Sequence, residues 1–189
     1  FSVIGNMNAI TYKEVFPLIK ENKVWLGYTS MAGNKLFSVP DPEKFIEGKK
    51  EGSAWGRHDG KIYAYVKACW FTNIEHGKRH EFLDLCTMAQ LKKRGVEFPH
   101  YDFYKAIEVS KGAYIPKDYK GVMGVPITWL DKYNPEQFEI VDCNDIRRNQ
   151  TVPRKPHGLI KDKEGAINGS PVYCRLLIRH KPATEEADA

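Results

Sequence analysis

The sequence predicts an α/β fold over residues 1–76, followed by an irregular α+β region over residues 77–181. Two short apolar runs, Phe1–Gly5 and Val24–Tyr28, enclose a segment with helical spacing. Strand–helix–strand order with tight connections is typical of α/β sheets. The run Lys61–Thr72 is the strongest predicted strand, because β-branched and aromatic residues dominate it.

The first predicted strand is an apolar run that ends at Gly5, and this pattern favours burial on both faces of a sheet. Neither an initiator methionine nor a polar segment precedes it. We therefore expect the chain to begin inside a βα unit and to be a piece of a larger protein.

The segment after this strand predicts a helix. Thr11 and Glu14 have the spacing of a capping box, and an apolar stripe follows at positions 15, 16, 18 and 19. Pro17 would cost an intrahelical hydrogen bond, so the helix is expected to kink there or to begin late. Residues 29–60 are rich in Gly, Lys and Pro and predict a long loop.

The second half of the chain predicts one helix among short strands and turns. Apolar residues three apart favour a helix over Glu81–Arg94, ended by Gly95. Proline-punctuated, aromatic-rich sequence follows up to Asn144 and indicates irregular structure. Arg147–Lys163 predicts a loop, Val172–Ile178 a closing strand, and the acidic end at 182–189 a disordered tail.

Composition excludes several classes of protein. The chain has 189 residues, is 42% hydrophobic, and lacks both a signal peptide and an apolar run of the roughly 20 residues that a membrane span needs. These features favour a soluble, cytoplasmic protein. Its four cysteines are far apart, so we expect free thiols rather than disulfides or a zinc site. His76 and His80 have helical metal-ligand spacing, but Gly77 and neighbouring cations argue against a metal, and none is predicted.

The net charge of +5 is concentrated in three basic clusters. Such clusters suit a polyanionic partner, and they suit a solvated surface almost as well. The cationic side chains that we take as candidates for phosphate contacts are Lys78, Arg79, His80, Lys92, Lys93, Arg94, Arg147, Arg148, Arg154 and Lys155.

Two sites near predicted strand ends have alternative interpretations. Asn8 could touch a ligand at the carboxyl edge of the sheet, although a helix N-cap is favoured. Trp70 and Phe71 point to opposite faces of a strand, so one is expected in the core while the other could stack on a nucleobase. The sequence contains no P-loop, nucleophile elbow, zinc-protease motif or Gly-rich dinucleotide turn, and no Asn/Asp-Pro-Pro-aromatic tetrad.

Three blocks of sequence, Val3–Glu14, Trp70–Asn73 and Gly121–Ile140, occur in an order that closely resembles the EcoRI-type adenine-specific DNA methyltransferases of bacteria and phages. The resemblance extends from Phe1 to about Lys181. It implies an enzyme that transfers a methyl group from S-adenosylmethionine to N6 of adenine in double-stranded DNA.

The resemblance also implies what this chain lacks. In that family the cofactor motif and the catalytic tetrad precede the segment seen here. Residues 1–76 would supply the last three strands of a Rossmann-like sheet, the final one antiparallel, and residues 77–181 the target-recognition region. We therefore expect the chain alone to contain no catalytic residue, to bind the cofactor weakly at most, and to be inactive without the missing N-terminal part.

The resemblance places Trp70, Phe71 and Asn73 as candidates for the pocket of the extruded base. The alternatives are a non-catalytic DNA-binding module on the same scaffold and a structural piece without a function of its own. Fusion to a nuclease also stays open. A truncated sheet would expose an apolar edge, so association between copies is a further expectation.

Overall fold

The computed structural model describes residues 1–143, 165–172 and 174–182. Among these residues there are three short α-helices, twelve strands in four sheets, and several 3₁₀ turns. No helix in the described ranges is long and apolar enough to cross a membrane.

A three-stranded sheet, which we name the N-terminal sheet, contains β1 (Ser2–Asn6), β2 (Trp25–Leu26) and β6 (Ala68–Thr72) in the order β1-β6-β2. The central β6 is antiparallel to both neighbours, so β1 and β2 run parallel to each other. A 3₁₀ turn at Met7–Thr11 and helix α1 (Phe16–Lys20) connect these two parallel strands.

The predicted capping box is wrong, and so is the favoured interpretation of Asn8 as an N-cap. Asn6 caps the 3₁₀ turn instead, because its Oδ1 accepts a hydrogen bond from the backbone N of Asn8 at 2.8 Å. Thr11 donates its hydroxyl to the carbonyl of Asn8 at 3.1 Å. Helix α1 begins late, with Pro17 in its first turn, where a missing N–H costs nothing.

The prediction of a long loop at residues 29–60 is wrong. This segment contains β3 (Lys35–Ser38), α2 (Pro42–Ile46) and β4 (Trp55–His58). The two strands flank β5 (Lys61–Val66) in an antiparallel sheet of order β3-β5-β4, which we name the inserted sheet. The long strand predicted over 61–72 is therefore two strands in different sheets, divided at Lys67.

The second half of the chain forms a four-stranded sheet, which we name the C-terminal sheet. The bounds of the strands in this half are Ala106–Glu108 (β7), Val122–Pro126 (β8), Phe138–Cys143 (β9), Ala166–Ile167 (β10), Ser170–Pro171 (β11) and Arg175–His180 (β12). The strands of this sheet lie in the order β7-β8-β12-β9, with β7 parallel to β8 and the other pairs antiparallel. The closing strand, predicted to begin at Val172, therefore begins three residues later, at Arg175.

The helix predicted over 81–94 is much shorter. Helix α3 spans Met88–Lys93 and begins at a capping box in which Thr87 and Gln90 each bond the other's backbone. Gly95 follows the helix at φ +78°, a left-handed conformation that glycine adopts without strain. The apolar spacing before Thr87 does not mark a helix, because residues 81–87 have no regular secondary structure.

One hydrophobic core joins the two halves. Phe16, Ile19 and Phe71 from the first half belong to the same cluster as Phe138 and Ile178 from the C-terminal sheet. The Trp129 ring meets the edge of Phe138 at a centroid distance of 5.2 Å. The expected boundary between residues 76 and 77 therefore does not separate two independent cores.

Candidate functional site

The carboxyl ends of β1 and β2 define one edge of the N-terminal sheet, and open α/β sheets bind their ligands at this edge. β6 begins at the same edge, since Asn6 pairs with Ala68. The inserted sheet leaves from the end of β2 and returns to the start of β6, so it also extends from the carboxyl edge. Asn8 and Tyr28 are exposed there.

The outer face of the N-terminal sheet carries exposed apolar side chains. Ile4 and Trp70 lie directly opposite each other on β1 and β6, and each is 39% exposed. Val3, on the other face of the edge strand, is 54% exposed. The prediction that the first strand is buried on both faces is therefore wrong for the described chain.

The three candidates for the base pocket do not form one pocket. Phe71 is 7% exposed and packs in the core, whereas Trp70 points to the outer face and lies over Gly27. Asn73 follows the far end of β6, at the amino edge of the parallel strands, where its Oδ1 accepts from the amino group of Phe1 at 2.6 Å. Of the three, Trp70 alone presents a ring surface to a partner.

Arg79 is buried among partners from other elements. Its side chain is 5% exposed, and its Nη1 donates to both carboxylate oxygens of Glu75 at 2.7 Å. Its Nη2 donates to Asn22 Oδ1, and its guanidinium lies 3.8 Å from the centroid of a Trp25 ring. This geometry favours a structural role for Arg79 over contact with a phosphate.

Lys78 joins the N-terminal sheet to the second half of the chain. Its Nζ forms an ion pair with Asp131 at 2.9 Å, and both side chains are largely buried. The same carboxylate accepts from the hydroxyl of Ser30 and from the backbone N of Met31. Lys78 is therefore already neutralised by an internal carboxylate.

His80 lies between two carboxylates on the surface. Its Nδ1 is 2.8 Å from Glu136 and its Nε2 is 3.0 Å from Glu75. The hydrogen bond to Glu136, with that to Glu75, raises the pKa of His80 above its ordinary value. The Arg79 guanidinium and His80 in turn lower the pKa of Glu75. Protonated His80 thus has two anionic neighbours within the chain itself.

The basic cluster at the end of α3 has a different environment from the cluster Lys78–His80. Lys92, Lys93 and Arg94 are exposed at the end of α3, and none forms an ion pair with another described residue. Their cations are available to an external anion. The remaining candidates, Arg147, Arg148, Arg154 and Lys155, lie outside the described residues.

The C-terminal sheet contains a buried charged network that has no local signal in the sequence. Glu108 accepts hydrogen bonds from the Tyr101 hydroxyl and from Arg175 Nε, the latter at 2.7 Å. Burial and the Glu108 carboxylate raise the pKa of Tyr101. Gly124 makes room for this tyrosine, since a Cβ there would overlap its hydroxyl. These partners are distant in sequence, so no local motif could have predicted them.

Cysteine and metal chemistry are limited in the described ranges. None of the four cysteines forms a disulfide with another described residue, and the sulfurs of Cys143 and Cys174 lie 3.5 Å apart. Burial raises the pKa of Cys69 to about 11, so this thiol stays protonated and is a poor nucleophile. No group of three or more metal-ligating side chains is found among the described residues.

Two cavities lie near the N-terminal sheet. One, lined by His76, Arg79 and Asp131 among others, has a volume of about 20 Å³ and admits about one water molecule. The other is a surface depression of about 330 Å³ beside Glu21 and Glu139, at the amino edge of β2. The first cavity is too small for a nucleoside cofactor, and the second does not lie at the carboxyl edge.

Comparison with known proteins identifies the family. The family described as adenine-specific methyltransferase EcoRI matches residues 1–181. The chain belongs to this family. No solved structure matches it significantly.

Three relatives define how much of the family this chain covers. The type II methyltransferase M.EcoRI of Escherichia coli is 40% identical over 181 residues, which are 96% of this chain and 50% of that protein. M.MpnI of Mycoplasma pneumoniae is 31% identical over 96% of this chain and 56% of its own length. M.MgeORF184P of Mycoplasma genitalium is 35% identical, with 95% and 56% covered. The chain thus spans about half the length of these relatives.

Proposed function

We propose that this chain is part of a site-specific DNA methyltransferase that transfers a methyl group from S-adenosylmethionine to N6 of adenine. The family match over residues 1–181 carries the proposal. The chain would supply late strands of the catalytic sheet and the region that recognises the DNA target. The half of the relatives that it does not span would supply the cofactor motif and the catalytic tetrad.

The N-terminal sheet supports this assignment. Two parallel strands with an antiparallel strand between them are the arrangement expected for the last three strands of a Rossmann-like methyltransferase sheet. Such sheets are normally covered on both faces. The exposed side chains of Ile4 and Trp70 are therefore the contact that we assign to the missing part of the enzyme.

The chemistry of the reaction explains why the chain needs this partner. The N6 nitrogen is a weak nucleophile, because its lone pair is delocalised into the adenine ring. The base must be extruded from the duplex and its amino group oriented by hydrogen-bond acceptors. The sequence contains no tetrad of the family type. One of the two cavities described above is too small for S-adenosylmethionine and the other lies at the amino edge of the sheet, so no step through the cofactor is assigned to this chain.

DNA recognition is assigned to residues 77–181. Phosphate contacts position a protein on the duplex, and exposed cations such as Lys92, Lys93 and Arg94 suit that role. Base stacking by Trp70 is the alternative to the contact with the missing part that we assign to this side chain. Phe71 is assigned to the core.

Reconstitution tests the proposal. The purified chain should transfer no methyl group from labelled S-adenosylmethionine to adenine-containing duplex DNA. Co-expression with the unmatched half of M.EcoRI, its 40% identical relative, should restore N6-methyladenine, detected by mass spectrometry of digested DNA. Transfer by the chain alone would contradict the assignment of the catalytic groups to the missing half.

Two charge substitutions test the proposed contact surface. Trp70→Glu should abolish reconstitution, because it introduces a charge where the missing part would pack. Leu18→Glu is the matched control, since Leu18 has the same 39% exposure but lies on α1. Equal activity of the two reconstituted variants would argue against an interface at the outer face of the sheet.

A further inference from the structure

The β4–β5 hairpin of the inserted sheet is built independently of the hydrophobic core. Asp59 and Gly60 connect its strands with φ angles of +48° and +74°. Positive φ at both central residues is the requirement of a type I′ turn, which matches the twist of a two-residue hairpin. None of the residues from Trp55 to Val66 belongs to the core cluster that joins the two halves of the chain.

One face of this hairpin combines cationic and aromatic side chains. His58 and Lys61 lie directly opposite each other, so their side chains share a face, and both residues are exposed. Tyr63 and Tyr65 follow on the same face of β5. The Tyr63 ring meets His58 in a T-shaped contact at a centroid distance of 5.9 Å.

Tyr65 holds the His58 ring in place. Its hydroxyl is 2.8 Å from His58 Nε2, so the ring is fixed by a hydrogen bond from the neighbouring strand. Gly56 makes this crossing possible, because a Cβ at that position would overlap the Tyr65 hydroxyl. The arrangement leaves Nδ1 as the ring nitrogen that can contact a ligand.

The charges of this face lack an internal partner. Neither His58 nor Lys61 forms an ion pair with a carboxylate of the described residues. A phosphate placed between them could form an ion pair with the Lys61 ammonium group and accept a hydrogen bond from the His58 ring. The pair is therefore suited to a phosphate.

The topology places the pair on the side of the molecule where DNA is expected. The inserted sheet leaves from the carboxyl end of β2 and returns to the start of β6, so the hairpin extends from the ligand-binding edge. We propose that the β4–β5 hairpin is a second DNA-contacting element, in which Lys61 and His58 bind a backbone phosphate and Tyr65 positions His58. This inference rests on the proposed function.

Salt-dependent DNA binding by the whole 189-residue chain tests the proposal. The logarithm of the affinity falls as the logarithm of the salt concentration rises, and each lost phosphate contact should reduce the magnitude of this slope by about 0.9. Lys61→Gln should therefore lower that slope by about one and weaken binding roughly threefold to tenfold at physiological salt, measured by fluorescence anisotropy with a labelled duplex.

Lys20→Gln is the matched control. It removes one exposed charge at the end of α1, on the amino-edge side of β2, and should leave both slope and affinity unchanged. Circular dichroism and urea midpoints of both variants would establish that they fold equally well. Equal behaviour of Lys61→Gln and Lys20→Gln overturns the hairpin proposal and leaves the methyltransferase assignment standing. Absence of any duplex binding by the wild-type chain overturns the hairpin contact, whereas the reconstitution assay decides the enzyme's activity.

A double-mutant cycle tests the positioning role of Tyr65. Tyr65→Phe keeps the ring and removes the hydroxyl that holds His58, so it should weaken DNA binding about twofold to fivefold without changing the salt slope. In a His58→Gln background the same substitution should have no further effect on affinity. An additive loss in the double variant would show that Tyr65 acts independently of His58 and would overturn this part of the proposal.

Discussion

Two clusters of three consecutive basic residues, Lys78–His80 and Lys92–Arg94, have nearly the same composition and opposite environments. In the first cluster Arg79 is buried, Lys78 is paired with Asp131, and His80 lies between two carboxylates. In the second cluster all three side chains are exposed. A run of basic residues therefore does not by itself identify a DNA-binding surface.

The difference follows from the elements that carry the clusters. Lys78–His80 occupies a 3₁₀ turn at the junction of the N-terminal sheet with the rest of the molecule, where Trp25, Glu75 and Asp131 supply partners. Lys92–Arg94 occupies the last turn of α3 and its C-cap, where cations interact favourably with the helix dipole. Within α3, Leu91 is buried and Met88 packs against the hydrophobic core.

The largest expected effect comes from Arg79→Ala. Loss of the Glu75 and Asn22 hydrogen bonds and of the contact with Trp25 should lower the free energy of unfolding by about 2–4 kcal/mol, measured by urea denaturation. Arg94→Ala, at an exposed position, is the control and should change stability by less than about 0.5 kcal/mol. Similar losses in the two variants would remove the distinction between the clusters.

A second experiment replaces the exposed cluster Lys92–Arg94. The triple substitution of Lys92, Lys93 and Arg94 by Gln should weaken duplex DNA binding by about 10- to 50-fold and lower the salt slope by about 2.7. The free energy of unfolding should hardly change, because all three residues are exposed. An unchanged salt slope would show that the cluster is a solvated surface and not a phosphate-binding one.

A smaller effect is expected for Lys78→Met. The substitution leaves the largely buried Asp131 carboxylate with the Ser30 and Met31 donors alone, which should cost about 1–2 kcal/mol of unfolding free energy. Lys23→Met is the control, since its pair with Glu21 is exposed and should contribute less than about 0.5 kcal/mol. In the background of Asp131→Asn, the effect of Lys78→Met should shrink if the ion pair is its cause.

The sequence predicted the elements whose signals are local. The strands β1, β2 and β6 and the late start of α1 follow from apolar runs and from Pro17. The hairpin at Asp59–Gly60 also has a local signal, a two-residue turn between alternating strands, which composition alone does not reveal. The helix predicted over 81–94 begins too early, because apolar spacing alone does not mark a helix start, whereas the capping box at Thr87 does.

The environment of the candidate site residues could not be predicted in the same way. Lys78 and Asp131 are 53 positions apart, and Arg79 and Asn22 are 57 apart, so their pairing depends on how the sheets pack. The burial of Phe71 rather than Trp70 also depends on how the sheets pack. Alternation along a strand predicts that the two side chains face opposite sides, but it does not predict which side is the core. Burial of one face by Phe16 and Leu26 decides that question.

The smallest expected effect concerns the pH dependence of the first cluster. Contacts with Glu136 and Glu75 raise the pKa of His80, so its stabilising contribution is fully present below the ordinary histidine pKa of about 6.5 and is lost as pH rises through the raised value. The pKa of Glu75 is lowered, so its contribution is present above the ordinary glutamate pKa and is lost as pH falls through the lowered value. Thermal midpoints should therefore decline slightly as pH rises from about 6 to about 8, and His80→Gln should abolish that decline.

His100→Gln, which removes an exposed histidine outside the cluster, is the control and should keep the wild-type pH profile. High salt should flatten the wild-type decline, because exposed charges are screened. If DNA binding also flattens it at low salt, a phosphate competes with Glu75 and Glu136 for His80, and the first cluster would then contact DNA through this one residue. If DNA leaves the decline of the thermal midpoint unchanged, the whole of the first cluster is structural. Phosphate binding by the described residues is then assigned to Lys92–Arg94 and the β4–β5 hairpin.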